Sequence, residues 1–238
     1  MSNGLILITG GSRGIGKGIA EELASAGYDI VLLAKSEKNL MQTKDQILTK
    51  HKIKIDTISC DLSDTREIDN AFNYCKRQGY KFTSITHSAG IFIEGCNLSS
   101  TIDVYDAMMD VNLRAIYYFT RLFKPLLDTS KKCTIVIIGS TAGLEPYTIG
   151  SIYGIAKWGL KGYAVNLRQE LAKDGIGVVL VNPGSTFTDL WKGTAHPKSR
   201  FVQPNDIGIM VRACLSLSAG AIVDEITVRP LLGDIHDE

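Results

Sequence analysis

Tyr153 and Lys157 form a Y-x-x-x-K pair. On a helix this spacing sets a phenol and an ammonium on one face, about one turn apart. The apolar stripe of the same segment is Leu160, Ala164, Leu167 and Leu171. Stepped at about 100° per residue, Tyr153 and Lys157 fall on that stripe, and Asn166, Gln169, Glu170 and Lys173 fall opposite. A lysine therefore stands where an amphipathic helix would place a leucine, and a charge on a buried face is costly unless something uses it. A nearby ammonium favours the phenolate, which predicts a tyrosine pKa lowered toward working pH. Such a tyrosine can exchange protons with an alcohol or carbonyl oxygen. The plainer reading is two amphipathic side chains snorkelling at a helix start, so the pair gains its weight from the rest of the chain.

Ser140 stands just past the β-branched run from Thr134 to Ile138, thirteen residues before Tyr153. A hydroxyl there can hold a substrate oxygen near Tyr153, although Gly139-Ser140-Thr141 alone is an ordinary turn. A Ser-His-Asp hydrolase does not fit: Ser140 lies outside any G-x-S-x-G and no histidine is placed to serve it.

Thr9-Gly10-Gly11-Ser12-Arg13-Gly14-Ile15-Gly16 follows an apolar run and opens a helical stretch. Glycines in that context allow a tight turn and close approach of backbone to a pyrophosphate, with free N–H groups at the helix start. The alternative is a glycine-rich turn that merely packs. NAD binding commonly uses an acidic residue at the end of the second strand to hold the ribose 2′-hydroxyl. Here Ala34-Lys35-Ser36 has no acid. Lys35 and Arg13 could converge on a 2′-phosphate, with Ser36 donating to it, so NADP(H) is favoured over NAD(H). Asp61 could accept from an adenine amino group or cap the next turn.

Alternating strand-like and helical segments must position these residues. Strand-like runs occupy 5–8, 29–34, 53–59, 82–86, 134–138, 178–181 and 225–228. Helical patterning covers the stretch to Ala26, then segments from Ser36, from Asp64, 101–127, the Tyr153 segment to about Asp174, and 206–217. Unbroken apolar strands alternating with helices predict an α/β fold, a single doubly wound parallel sheet with helices on both faces. Ligands of such sheets lie beyond the carboxyl ends of the strands. The weakly periodic stretch 185–203 is placed to act there as a lid. With 238 residues and no linker or repeat, residues 1–238 read as one domain. A formal net charge of +1 gives no support for nucleic acid or an acidic membrane as partner. Met1-Ser2-Asn3-Gly4 runs straight into an apolar segment without a basic leader, so a cytoplasmic protein is expected. Five scattered cysteines without C-x-x-C spacing indicate reduced thiols and no metal site.

Taken in order, these motifs resemble the short-chain dehydrogenase/reductase family from about Leu5 to Val228. The resemblance implies a Rossmann-type fold, with Asn112, Ser140, Tyr153 and Lys157 as the catalytic set. It implies a cofactor site formed by Gly10, Ser12, Arg13, Gly14, Ile15, Gly16, Lys35, Ser36, Asp61, Leu62, Ser88, Ala89, Gly90, Tyr153, Lys157, Pro183, Gly184, Thr186 and Thr188. In the family mechanism Tyr153 donates the proton, Ser140 holds the carbonyl oxygen and Lys157 binds the nicotinamide ribose. Asn112 holds a water linking Lys157 to solvent; independently, asparagine is a poor helix former within a helical run. Two departures stand out. His87-Ser88-Ala89-Gly90 replaces the family's Asn-Asn-Ala-Gly, with His87 read as a structural replacement. The ending Ile226-Thr227-Val228-Arg229-Pro230 is closer to the shorter members.

The expected activity is NADPH-dependent reduction of a small-molecule carbonyl to an alcohol, or the reverse. The pocket is expected to be lined by Ile91, Phe92, Glu94, Glu145, Tyr147, Trp191 and Phe201. A 3-ketoacyl-thioester reductase of fatty-acid metabolism stays open because Lys192, Lys198 and Arg200 put basic charge on the lid. A non-catalytic NADP(H)-binding regulator would have lost Ser140, Tyr153 or Lys157. An epimerase or dehydratase of the extended type needs a sizeable C-terminal domain. A homodimer or homotetramer is implied by the resemblance. Gly159 and Gly162, read as lying away from the core stripe, would let a partner helix approach.

Overall fold

The central strands of this protein alternate their side chains between two buried layers. The computed structural model describes residues 2–235, so the ends of the expected 1–238 domain lie outside the described residues. In β1 (Leu5–Thr9) Ile6 and Ile8 face one layer and Leu7 the other; β2 (Asp29–Ala34) repeats this with Ile30 and Leu32 against Val31 and Leu33. Period-2 alternation with both faces apolar is what a sheet covered on both sides requires. The remaining strands are β3 (Ile55–Ser59), β4 (Ser84–His87), β5 (Cys133–Ile138), β6 (Ile176–Pro183) and β7 (Glu225–Val228). They pair in the order β3-β2-β1-β4-β5-β6-β7, all parallel.

One layer holds α1 (Gly14–Ser25), α2 (Glu37–Leu48) and α7 (Pro204–Ser216), with Ile19, Leu23, Leu40, Ile47, Ile207 and Val211 on the sheet. The other holds α3 (Thr65–Arg77), α4 (Ile102–Met109), α5 (Ala115–Phe123) and α6 (Ser151–Ala172), including Ile68, Phe119, Phe123, Leu160 and Leu167. The order of strands reverses between β1 and β4, which opens a crevice at their carboxyl ends.

Local chemistry explains the helix starts. Ser36 caps α2 by accepting from the Asn39 N–H at 3.3 Å, and Asp64 caps α3 by accepting from the Arg66 N–H at 2.9 Å. The final helix begins at Pro204, ahead of the expected Asp206. Gln203 is its cap, Pro204 suits the first turn, and Asp206 accepts from the Gln203 N–H at 2.8 Å in a capping box. The expected helix 101–127 is interrupted by a π turn at Asp110–Arg114 and ends in a 3-10 turn at Lys124–Leu126.

The expected lid has a small core of its own. It forms 3-10 turns at Asp189–Trp191 and Lys198–Arg200. Phe201 is buried, with its ring 5.5 Å from Phe187 and 4.9 Å from Trp191, so it packs inside the lid. Gly159 corrects another expectation: a Cβ there would meet the Leu113 side chain at 2.9 Å, so it serves packing within this chain. Gly162 faces open space.

Candidate active site

The crevice is a cleft of about 1220 Å³. Every site residue expected from sequence lines it except Asn112. Ile91, Phe92, Glu145, Tyr147 and Trp191 line it as well; Glu94 and Phe201 do not.

At one end Ser140, Tyr153 and Lys157 converge. Ser140 leaves β5 in extended conformation and its Oγ accepts from the Ala142 N–H at 3.1 Å, starting the 3-10 turn Thr141–Gly143. This turn packs directly on α6: a Cβ at Gly143 would lie 2.8 Å from the Lys157 carbonyl oxygen. That close approach brings the Tyr153 helix face up against the segment that carries Ser140. Lys157 is 4% exposed and its Nζ donates to the Ile138 carbonyl at 3.0 Å, lying 5.4 Å from the Tyr153 ring centroid. Phe92 and Tyr147 stand beside Tyr153, with ring centroids 5.5 and 6.1 Å away.

The electrostatics differ from the expected lowering of the tyrosine pKa. Burial pushes the Tyr153 phenol up to about 12, against the smaller opposing effect of the Ser140 hydrogen bond. Burial also pushes the Lys157 ammonium down to about 8. Desolvation disfavours both charged forms, and the ammonium is directed at the Ile138 carbonyl.

Asn112 sits in the π turn, fully buried behind the cleft. Its Oδ1 accepts from the Ile91 N–H at 3.1 Å and its Nδ2 donates to the Ile91 carbonyl at 2.9 Å. Both ends of the amide are thus engaged with the Ile91 backbone. The π turn, a feature common at functional sites, aims Asn112 at Gly90–Ile91. A Cβ at Gly90 would lie 2.8 Å from Oδ1 and 3.9 Å from Lys157 Nζ.

The other end has the shape of a dinucleotide cradle. Gly10 adopts φ +69°, and a Cβ there would lie 2.7 Å from the Ala89 backbone nitrogen. A Cβ on Gly16 would lie 2.3 Å from the Gly10 carbonyl oxygen, so only glycine lets α1 begin this close to the turn. Among the described residues no side chain caps α1, leaving its first N–H groups directed at the cleft. Ser88 Oγ is buried beside it without a hydrogen-bond partner. An uncapped helix start, an orphaned hydroxyl and a backbone-lined floor fit a nicotinamide dinucleotide.

Arg13 and Lys35 both line the cleft, each against a carboxylate. Lys35 pairs with the Asp61 carboxylate, and Arg13 Nη1 lies 3.3 Å from Asp189 Oδ2 on the lid. Carboxylates are the anions within reach, and both cations are largely exposed, so these pairs are weak. Asp61 Oδ1 accepts from the N–H and hydroxyl of Ser63 at 3.0 and 2.7 Å, which is the turn-capping alternative. Ser36 is occupied as the α2 cap. His87 does not line the cleft: its Nε2 bonds Thr120 Oγ1 at 2.9 Å, and burial lowers its pKa to about 3. That geometry is structural.

Among the lining residues that sequence reasoning missed, two sets carry charge or tie distant segments to the cleft. Asp103, Asp106 and Asp110 line the cleft from α4 and the π turn, and their helical spacing was a usable signal. Asp234 and Ile235 reach it from the C-terminal tail, where no local pattern marks them.

A dinucleotide crevice joined to a Ser-Tyr-Lys cluster defines an NAD(P)-dependent oxidoreductase. Residues 4–199 match the model of the short chain dehydrogenase family, and the chain belongs to the short-chain dehydrogenases/reductases. It is 27% identical to an uncharacterized oxidoreductase of Staphylococcus saprophyticus, covering 94% of this chain and 96% of that one. It is 26% identical to a sepiapterin reductase of Chlorobaculum tepidum, covering 98% and 99%. A short chain dehydrogenase of Burkholderia cenocepacia, solved in complex with NADP, superposes with TM-score 0.84 at 28% identity, covering 94% and 95%.

Proposed function

We propose that this protein is an NADPH-dependent reductase that converts a small carbonyl compound to its alcohol, or the reverse, with Tyr153 as general acid/base. The convergence of Ser140, Tyr153 and Lys157 at one end of the cleft carries this reading. The cofactor would be held by the Gly10–Gly16 turn, the α1 N-terminus, Ser88–Gly90 and the segment from Pro183 to Thr188, and when bound it supplies the hydride. Ser140 holds the substrate oxygen beside the phenol. Tyr153, kept protonated by burial, gives its proton to that oxygen. Lys157, its Nζ 5.4 Å from the Tyr153 ring centroid, would hold the nicotinamide ribose beside the phenol. Asn112 braces the Gly90–Ile91 backbone beneath the site.

The NADP(H) preference is supported by the lack of an acid at the end of β2, where Ala34, Lys35 and Ser36 line the cleft. The exposed Lys35 and Arg13 can exchange carboxylate partners for a phosphate. An uncharged substrate is favoured over a thioester on an acidic carrier. Asp103 and Asp106 line the cleft on the side of α4, where they would oppose an anionic carrier. The similarity to a sepiapterin reductase is in keeping with a small carbonyl substrate. Retention of all three catalytic side chains weighs against a non-catalytic regulator. Exposed Tyr117 on α5 and Ile155, Trp158 and Val165 on α6 support a homodimer or homotetramer through these faces. Five free cysteines suit the reducing cytoplasm.

The test follows nicotinamide absorbance with NADPH and, separately, NADH against small ketones, aldehydes, quinones, diketones, sugars, pterins and 3-ketoacyl thioesters. NADPH turnover that is lost in Tyr153→Phe, with binding retained, is expected. Turnover unchanged in Tyr153→Phe would refute the mechanism, and turnover with NADH alone would refute the roles of Arg13 and Lys35.

A further inference from the structure

The C-terminal tail after β7 is tied to the catalytic end of the cleft by a set of polar contacts that the reaction itself does not use. Asp234 has a side chain only 6% exposed. Its Oδ1 accepts from the Ser185 N–H at 2.7 Å, and its Oδ2 accepts from Arg229 Nη1 at 2.7 Å. The same Arg229 Nη1 donates to Glu145 Oε1 at 2.8 Å, on the segment that follows Ser140. The Ile235 N–H donates to Ser185 Oγ at 2.9 Å, so Ser185 is held through both backbone and side chain. Arg200 of the lid donates to the Leu232 and Gly233 carbonyls at 3.3 and 2.8 Å. A Cβ on Gly184 would fall 2.0 Å from Asp234 Oδ1, so the carboxylate occupies the place a side chain at 184 would take.

Three segments therefore meet on this tail: the stretch after Ser140, the Pro183–Thr186 stretch after β6, and the lid. The stretch after β6 and the lid also meet each other at the Thr186–Val202 bridge, and the tail adds the link from both to the stretch after Ser140. We infer that Asp234 is a positioning residue for the nicotinamide end of the active site, holding the Gly184–Ser185 backbone in register with Ser140 through Arg229 and Glu145. This rests on the reading of the cleft as an NADP(H) site with its nicotinamide end at Pro183–Thr188. The carboxylate acts through the backbone it fixes. A charged acceptor buried against a backbone N–H and a guanidinium is a strong restraint, because without it the Ser185 N–H would lose its acceptor and Arg229 would keep Glu145 alone.

The experiment compares two ligands in wild type, Asp234→Ala and Asp234→Asn. NADPH spans the whole cleft, and 2′-phospho-ADP-ribose lacks the nicotinamide. Asp234→Ala is expected to weaken NADPH by roughly tenfold or more, the scale of one hydrogen bond to a charged group. Its affinity for the fragment should stay within about twofold, since the adenine end is untouched. Turnover number should fall along with NADPH affinity. Asp234→Asn keeps an acceptor for the Ser185 N–H and should fall between the two; it also serves if the alanine variant fails to fold. Equal weakening of both ligands, or no change in either ligand or in turnover, overturns the inference. A wild type that binds neither ligand would instead sink the NADP(H) reading itself, and the inference with it.

Discussion

Lys157→Met should make the cofactor-free protein more stable while removing its activity. The ammonium is buried and its pKa is pushed from an ordinary 10.5 to about 8 by loss of solvation. A gap of about 2.5 units at about 1.36 kcal/mol per unit amounts to a penalty of about 3 kcal/mol for keeping this charge in the fold at pH 7. Methionine retains most of the apolar stem and removes the charge. It also leaves the Ile138 carbonyl without the Nζ donor, which costs about 1 kcal/mol. The net gain is about 2 kcal/mol, or about 4–8 °C in Tm for a chain of this size. The pH dependence has a definite sign. Below the folded pKa of about 8 both folded and unfolded lysine are protonated, and the full penalty is present. Between about 8 and 10.5 the unfolded state holds more protons than the folded one, so wild-type stability rises with pH. The advantage of the methionine variant should therefore shrink by about 1 kcal/mol between pH 7 and 9. Calorimetry or urea melts at the two pH values, with activity assayed in parallel, measure this. A variant less stable than wild type at pH 7, or an advantage that does not narrow by pH 9, would refute the claim that desolvation dominates at Lys157.

Replacing Arg13 and Lys35 singly by alanine should each weaken NADPH by about tenfold and leave NADH nearly unchanged, as isothermal titration can read, because each loses one charge-assisted contact to a phosphate. Gly16→Ala puts a methyl 2.3 Å from the Gly10 carbonyl oxygen and should cost about 1–3 kcal/mol in a urea melt as well as cofactor affinity. His87 has its pKa depressed to about 3 in the fold, so protons bind the unfolded chain preferentially below its ordinary 6.5. The wild type should lose about 1.4 kcal/mol from this group alone between pH 7.5 and 5.5, and His87→Asn should flatten the slope whatever its absolute stability.

Much of this molecule is legible in the chain because the signals are local. Short runs such as Ile-Val-Leu-Leu and Thr-Ile-Val-Ile-Ile suit strands of a sheet covered on both faces, and the stripe carrying Leu160, Ala164 and Leu167 determines which face of α6 Tyr153 and Lys157 share. The glycine turn is likewise local, since a positive φ at Gly10 and the tight start of α1 depend on neighbours in sequence. Tertiary packing decided what periodicity does not encode. It set the balance between charge and desolvation at Tyr153 and Lys157, which depends on how much water the assembled layers exclude. It turned the Asn112 amide onto the Ile91 backbone through a π turn, and gave Lys35 and Arg13 separate carboxylates. It brought Asp234 to Ser185, forty-nine residues away in the chain, where no pattern in sequence marks the meeting. Residue type and spacing specify which groups can do chemistry, and their solvation and partners come only from segments that meet when the chain folds.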